Sequence, residues 1–226
     1  MHFVTRSQVR SRLEGKSIAL VGSGPGVLDN PPGLIDAHEV VVRVNNYKLS
    51  PAAGFRTDVF YSYFGGAIRK TAAELRRDGV TLCLCKCPDG QPIESEWHRK
   101  NDKMAGVDFR WIYRKRAGFW FCDTFVPSIE DFMAKFRLLG GHVPTTGFAA
   151  ILDLLDCNPK RLYLTGFDFF RSRVHNVDQP WSRKNADDPI GHVPERELSY
   201  LASILGRYPI TWDRMLDRTL NGAVAA

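Results

Sequence analysis

Two histidines, His175 and His192, offer the most reactive chemistry in this chain, and His192 stands five residues before Glu197. An imidazole of near-neutral pKa takes a proton from a hydroxyl as a general base. A second, charged imidazole stabilises a departing phosphate. Either residue alone is more often a surface or capping histidine than a catalyst. Four further motifs accompany them. Val21-Gly22-Ser23-Gly24-Pro25-Gly26 follows a short apolar run. Glycines at such a place let a backbone approach a phosphate, although a plain tight turn has the same composition. The dinucleotide fingerprint asks for a further glycine where Val27 stands, so a nicotinamide site is disfavoured and a nucleotide phosphate or ribose site is the better reading.

Arg43-Val44-Asn45-Asn46 closes a second apolar run. An amide both donates and accepts, as a base or ribose requires. A turn asparagine and a surface arginine are the plain alternatives. Pro144-Thr145-Thr146-Gly147 opens a helical pattern. The free N–H groups of a helix start attract a carboxylate or phosphate, while Thr145 or Thr146 serves equally as an N-cap. Gly166-Phe167-Asp168 ends a fourth apolar run, where backbone groups can hold a base. No Asp-x-Asp occurs in the chain. That pattern commonly supplies carboxylates to a divalent ion on a nucleotide-sugar diphosphate, so no metal cofactor is expected. Cys83, Cys85 and Cys87 alternate and fall on one face of a strand, as small buried residues.

The elements that must position these groups follow from periodicity. Strands are expected at Ser17–Val21, Val40–Val44, Asp58–Tyr63, Thr81–Cys85, Asp108–Tyr113, Arg161–Thr165 and Tyr208–Trp212. Helices are expected at Ala67–Asp78, from an N-cap at Ser128 through Leu139, at Thr146–Leu155 and at Pro194–Arg207. The tail Asn221–Ala226 reads as frayed. Alternating strands and helices imply an α/β fold: a single Rossmann-like domain over residues 1–226, its mostly parallel sheet covered by helices on both faces. The polar segment 170–191, rich in Arg, Asn and Asp, is long for a loop and reads as a lid over the site.

The 226 residues suffice for one domain with a sizeable core. A net charge of +6 suits a partner bearing phosphate or carboxylate. Met1–Lys16 is polar and basic, without the apolar stretch of a signal peptide, and no run is long enough to span a bilayer. The expectation is a soluble cytoplasmic protein whose basic surface suits peripheral contact with the inner membrane. Five cysteines, an odd number, argue against a disulfide framework.

Taken in order, the motifs resemble those of sialyltransferases, glycosyltransferase family 42 (bacterial) and family 29 (animal-type). Gly22-Ser23-Gly24-Pro25 resembles the Gly-Asn-Gly-Pro turn of family 42. Ile35-Asp36, Val42-Arg43-Val44-Asn45, Gly54 and Thr57-Asp58 resemble the long motif of family 29. Thr145-Thr146-Gly147 resembles the short motif of family 29 and the Thr-Ser-Gly of family 42. Tyr163–Phe169 resembles the strand end of family 42, and His175-Asn176-Val177-Asp178 the third motif of family 29. Ile190-Gly191-His192 with Glu197 resembles the terminal histidine motif of both.

The resemblance implies a GT-A-like sialyltransferase variant of the Rossmann fold and a CMP-sugar donor. It implies Asn45 at the nucleotide, Thr146 and Gly147 at the donor carboxylate or phosphate, and Gly166 and Phe167 at the cytosine. Gly22, Ser23, Gly24, Thr145 and Asp168 complete the donor site, with Arg43 and Glu197 in support. His192 is implied as the base and His175 as the phosphate partner of an inverting, metal-independent transfer to a glycan or glycolipid hydroxyl. No nucleic-acid partner is implied. Two departures stand out: Ser23 replaces the family asparagine, and Phe170 replaces a tyrosine. They leave sialic acid and Kdo (the sugar of lipopolysaccharide and capsule assembly) both open as the donor. They also motivate an alternative, a catalytically degenerate nucleotide-binding module. A methyltransferase or dehydrogenase is disfavoured by the incomplete glycine fingerprint and by the lack of an acidic residue ending the second strand.

Overall fold

The computed structural model describes residues 2–64, 68–88, 121–172 and 192–224. The expected strand Asp108–Tyr113, His175 and the 173–191 part of the expected lid lie outside them. Among the described residues seven strands form one sheet: β1 (Ser17–Val21), β2 (Val40–Val44), β3 (Val59–Ser62), β4 (Leu82–Cys85), β5 (Asp123–Phe125), β6 (Arg161–Thr165) and β7 (Ile210–Trp212). Their order is β5-β4-β3-β2-β1-β6-β7, and every pairing is parallel. The α/β class and the parallel sheet match the sequence expectation.

Alternation along each strand feeds both faces, because successive side chains of a strand point to opposite sides. Ile18 and Leu20 of β1 join Val42, Tyr61, Leu84 and Leu164 in one core. Ala19 and Val21 turn the other way, with Val41 and Tyr163. On that second side Phe60, Cys83 and Cys85 pack with Phe132 and Phe136 of the helix α3 (Ile129–Leu138). The first core is covered by α1 (Arg6–Leu13), α4 (Thr146–Leu155) and α5 (Pro194–Ile204). Cys83, Cys85 and Cys87 are buried on one face, as the alternation requires, and Cys83 Sγ lies 3.3 Å from Cys122 Sγ.

Several elements differ from the periodicity reading. Helix α2 is shorter than expected, Ala72–Arg77, because Thr71 and Glu74 form a capping box that starts it there. Strand β5 and helix α1 were not anticipated. α1 is almost wholly polar, and only Val9 and Leu13 are buried, so its apolar signal is weak. The tail is not frayed over the described residues. Helix α6 (Arg214–Val224) runs through it, held by buried Leu216 and Leu220. α5 ends at Ile204 and passes into a 3-10 turn, Leu205–Arg207.

Strand order reverses between β1 and β6. β1 leads to β2 on one side, and the chain returns only after β5 to place β6 on the other. Such a switch point opens a crevice at the carboxyl ends of the strands, where doubly wound sheets bind ligands.

Candidate functional site

The two glycine loops meet at this switch point. Gly22 N–H donates to Thr165 O at 2.8 Å, and Gly24 N–H donates to Gly166 O at 2.8 Å. A Cβ on Gly22 would lie 2.4 Å from Gly166 O. Gly166 has φ +76°, and a Cβ there would meet Val27 Cγ2 at 2.4 Å. The glycines thus let two loops cross in contact, and the Gly22 and Gly24 amides are consumed inside the protein. Ser23 between them is half-buried, and its side chain makes no hydrogen bond to a described residue.

Below the loops runs a buried polar chain. Tyr163 OH donates to Asn30 Oδ1 (2.5 Å), and Asn30 Nδ2 donates to Thr165 Oγ1 (2.9 Å). Asp213 Oδ2 accepts from both Thr165 Oγ1 and Gly166 N–H, each at 2.8 Å. Its Oδ1 accepts from Leu216 N–H (2.8 Å) at the start of α6. One carboxylate therefore pins the end of β6 to the last helix. Asp168 works similarly on the next turn. Its oxygens accept from Phe170 N–H (3.2 Å), Ser172 N–H (3.0 Å) and the Ser172 hydroxyl. They brace two consecutive non-glycine residues of positive φ, Phe169 (51°) and Phe170 (60°), a backbone state that costs about 1–3 kcal/mol per residue. Asp168 acts on the loop rather than presenting a free carboxylate. Phe167 is buried, and its ring lies where a Cβ on Gly147 would come within 2.7 Å, so β6 and the start of α4 touch through it.

Arg43 is placed away from the loops. It is fully buried on the Val41 side of β2, and its Nε donates to Arg56 O (3.1 Å) and Thr57 Oγ1 (3.0 Å). Burial pulls its pKa down to about 10. Its support is for the chain between β2 and β3. Asn45, by contrast, ends β2 at the carboxyl edge with φ 53°, a state asparagine tolerates, and its Oδ1 accepts from Ser62 Oγ (3.0 Å).

The start of α4 joins α5 through Glu197. Thr145 caps the helix: its Oγ1 accepts from Phe148 N–H (3.2 Å). The same hydroxyl donates to Glu197 Oε2 (2.8 Å), and Thr145 N–H donates to Glu197 Oε1 (2.5 Å). Thr145 is thus fully engaged, which leaves Thr146 and Gly147, both half-buried, as the helix start's remaining donors. Burial pushes the Glu197 carboxyl up to about 7 against the pull of the Thr145 donors.

His192 stands just before α5. Its Nδ1 lies 2.7 Å from Val143 O, in the connection between α3 and α4. A carbonyl can only accept, so Nδ1 carries the proton. Burial first, and then the positive charge of Lys86, lower the imidazole pKa to about 4, opposed by the Val143 bond. The ring is therefore neutral at pH 7, with its lone pair on Nε2: the tautomer of a general base.

The structure thus brings Gly22, Ser23, Gly24, Gly166, Phe167 and Asp168 to the switch point. Thr145, Thr146, Gly147, Glu197 and His192 gather at the start of α4. Sequence reading missed Asp213, Asn30 and Lys86. Asp213 was legible as an N-cap, had α6 been anticipated. Lys86 was legible as a charge inside the otherwise apolar run of Cys83 to Cys87. Among the described residues no three His, Cys, Asp or Glu side chains converge as a metal site, and no helix is long and apolar enough to cross a membrane.

The architecture is a doubly wound parallel sheet with its polar groups gathered at the carboxyl edge, and solved sialyltransferases share this fold. A mammalian sialyltransferase superposes with a TM-score of 0.57 at 16% identity, over 88% of this chain and 68% of that one. The Campylobacter jejuni sialyltransferase CstII, in complex with cytidine-5'-monophosphate, gives 0.56 at 17% identity, over 88% and 79%. An α-2,3-sialyltransferase from Campylobacter jejuni gives 0.53 at 14% identity, over 94% and 77%. No family model matches the sequence, and no curated protein sequence matches it.

Proposed function

We propose that this chain is an inverting, metal-independent glycosyltransferase that moves an acidic 2-keto sugar, of sialic acid or Kdo type, from a CMP-sugar to a glycan or glycolipid hydroxyl. The observation that carries the reading is the neutral His192, its Nδ1–H fixed on Val143 O and its Nε2 left basic, at the carboxyl edge of a sialyltransferase fold. In the reaction the acceptor oxygen attacks the anomeric carbon from the face opposite the phosphate. The bond from that carbon to the phosphate oxygen breaks, and CMP leaves with the electron pair. His192 Nε2 takes the hydroxyl proton. Thr146 and Gly147 offer backbone N–H groups to the donor's anion, and Asn45 contacts the nucleotide. His175 is assigned the leaving phosphate on the sequence resemblance alone. Metal independence rests on the missing Asp-x-Asp.

CMP release from CMP-sialic acid and CMP-Kdo tests the proposal. His192→Ala should lower kcat about 10²–10⁴-fold, the usual contribution of a positioned general base. Unchanged turnover in that variant removes His192 from the mechanism. A second reading, a nucleotide-binding module without turnover, is favoured by the internal use of the Gly22 and Gly24 amides and of Asp168. Calorimetric binding of CMP with no turnover against any acceptor would select it.

A further inference from the structure

Lys86 belongs to no motif of the sequence reading, yet it stands among the groups of the site. Its N–H donates to Ser62 O (2.9 Å), which carries the β3–β4 ladder one residue beyond β4. Ser62 Oγ in turn donates to Asn45 Oδ1. Asn45, Ser62 and Lys86 therefore end three neighbouring strands side by side, on the same edge of the sheet as Gly22 and Gly166. Lys86 is 8% exposed. Among the described residues its ammonium has neither a hydrogen bond nor an ion pair. The charges nearest in effect come from two helices: Glu197 of α5 favours the ammonium, and Lys135 of α3 opposes it. The adjoining Cys87, its thiol pushed up to about 11 by burial, is neutral at pH 7. Both Glu197 oxygens are already held by Thr145. A charge withdrawn from water without a partner is costly, and an anion from outside the protein relieves that cost.

We infer that Lys86 is an anion-binding residue of this site and that its ammonium receives a carboxylate of the acidic sugar. The inference rests on the proposed function. β4 lies three strands from β1, roughly 14 Å at the usual strand spacing, so the loops at the switch point and Lys86 serve different parts of one ligand. In a 2-keto acid sugar the carboxylate is attached to the anomeric carbon itself. His192 acts on the hydroxyl that attacks that carbon, and Lys86 is close enough to influence His192. An acidic acceptor sugar would bring a carboxylate to the same neighbourhood, so donor and acceptor are the two sources to separate.

The test compares wild type, Lys86→Met and Lys86→Arg by calorimetry with CMP, CMP-sialic acid and CMP-Kdo, with steady-state KM for donor and for an acidic acceptor. Lys86→Met should leave CMP affinity within about twofold and weaken the CMP-sugar by roughly ten- to a hundredfold, the size of one charge-assisted hydrogen bond. Lys86→Arg should recover most of the loss. On unaltered protein, the neutral C1-amide of the donor should lose a similar factor, and Lys86→Met should not discriminate acid from amide. Unchanged donor affinity with a raised KM for the acidic acceptor assigns the carboxylate to the acceptor. Equal binding of CMP and CMP-sugar changes in Lys86→Met, or no change in any of these quantities, overturns the inference while leaving the function intact. Failure of wild type to bind CMP overturns the function itself.

Discussion

At the residue scale, His192 and Glu197 show how position sets chemistry. Both are ordinary surface residue types, yet burial moves them in opposite directions, the imidazole down to about 4 and the carboxyl up to about 7. The cause is common to both: burial disfavours the charged form of either group. For catalysis the consequence is a base that stays unprotonated well below neutrality. The acid limb of kcat/KM, which reports the free enzyme, should therefore fall nearer pH 4 than 6.5. An anionic donor beside the ring favours its protonated form, so the acid limb of kcat should lie at higher pH than that of kcat/KM. Coincident limbs near 6.5 in both profiles would contradict a buried, neutral His192.

At the element scale, the site is a junction of loops rather than a row of free side chains. The ends of β1 and β6 cross in direct contact, and Asp213 ties that crossing to α6. Asp213→Ala removes a helix cap and leaves Gly166 N–H and Thr165 Oγ1 without their acceptor. A loss of about 2–4 kcal/mol in chemical denaturation is expected. Gly166→Ala faces both a left-handed φ and a clash with Val27, and should destabilise by a similar amount. In both variants CMP affinity should fall along with stability, because the loops they disturb line the crevice. A variant that melts early but binds CMP with wild-type affinity would place the nucleotide elsewhere.

At the scale of the whole molecule, the same two titrations contribute opposing slopes to stability against pH. The folded His192 pKa lies below its unfolded value of 6.5, so the unfolded chain gains a proton the native state refuses, and stability is lost as pH falls from 6.5 towards 4. The folded Glu197 pKa lies above its unfolded value of 4.5. Its contribution is fully present below 4.5 and is lost as pH rises towards 7. Between about 4.5 and 6.5 the two slopes oppose each other. His192→Gln should therefore expose the Glu197 slope, with denaturation stability falling by up to about 1.4 kcal/mol per pH unit as pH rises through that window. A variant whose profile matches wild type there would show that the two groups are not buried as described.

The sequence by itself determined the elements whose residues are apolar and periodic. β1, β2, β6 and α4 fall where their runs predict, and the order of strands and helices fixes a parallel α/β sheet. It also marked Thr145, Glu197 and His192, because capping and titratable side chains carry their chemistry with them. It underread α1 and α6, whose buried residues are few, and Lys86, whose neighbours along the chain are apolar. The rest was decided by the tertiary structure, through contacts between residues far apart in sequence. Arg43 and Asn45 are two positions apart, yet one is sealed beneath the β2–β3 connection and the other ends at the crevice. Asp168 and Thr145 look like ligand groups in the sequence and spend their hydrogen bonds on the backbone and on Glu197. Whether a polar atom is free for a ligand depends on which groups the fold brings against it, and that is set by packing, not by local pattern.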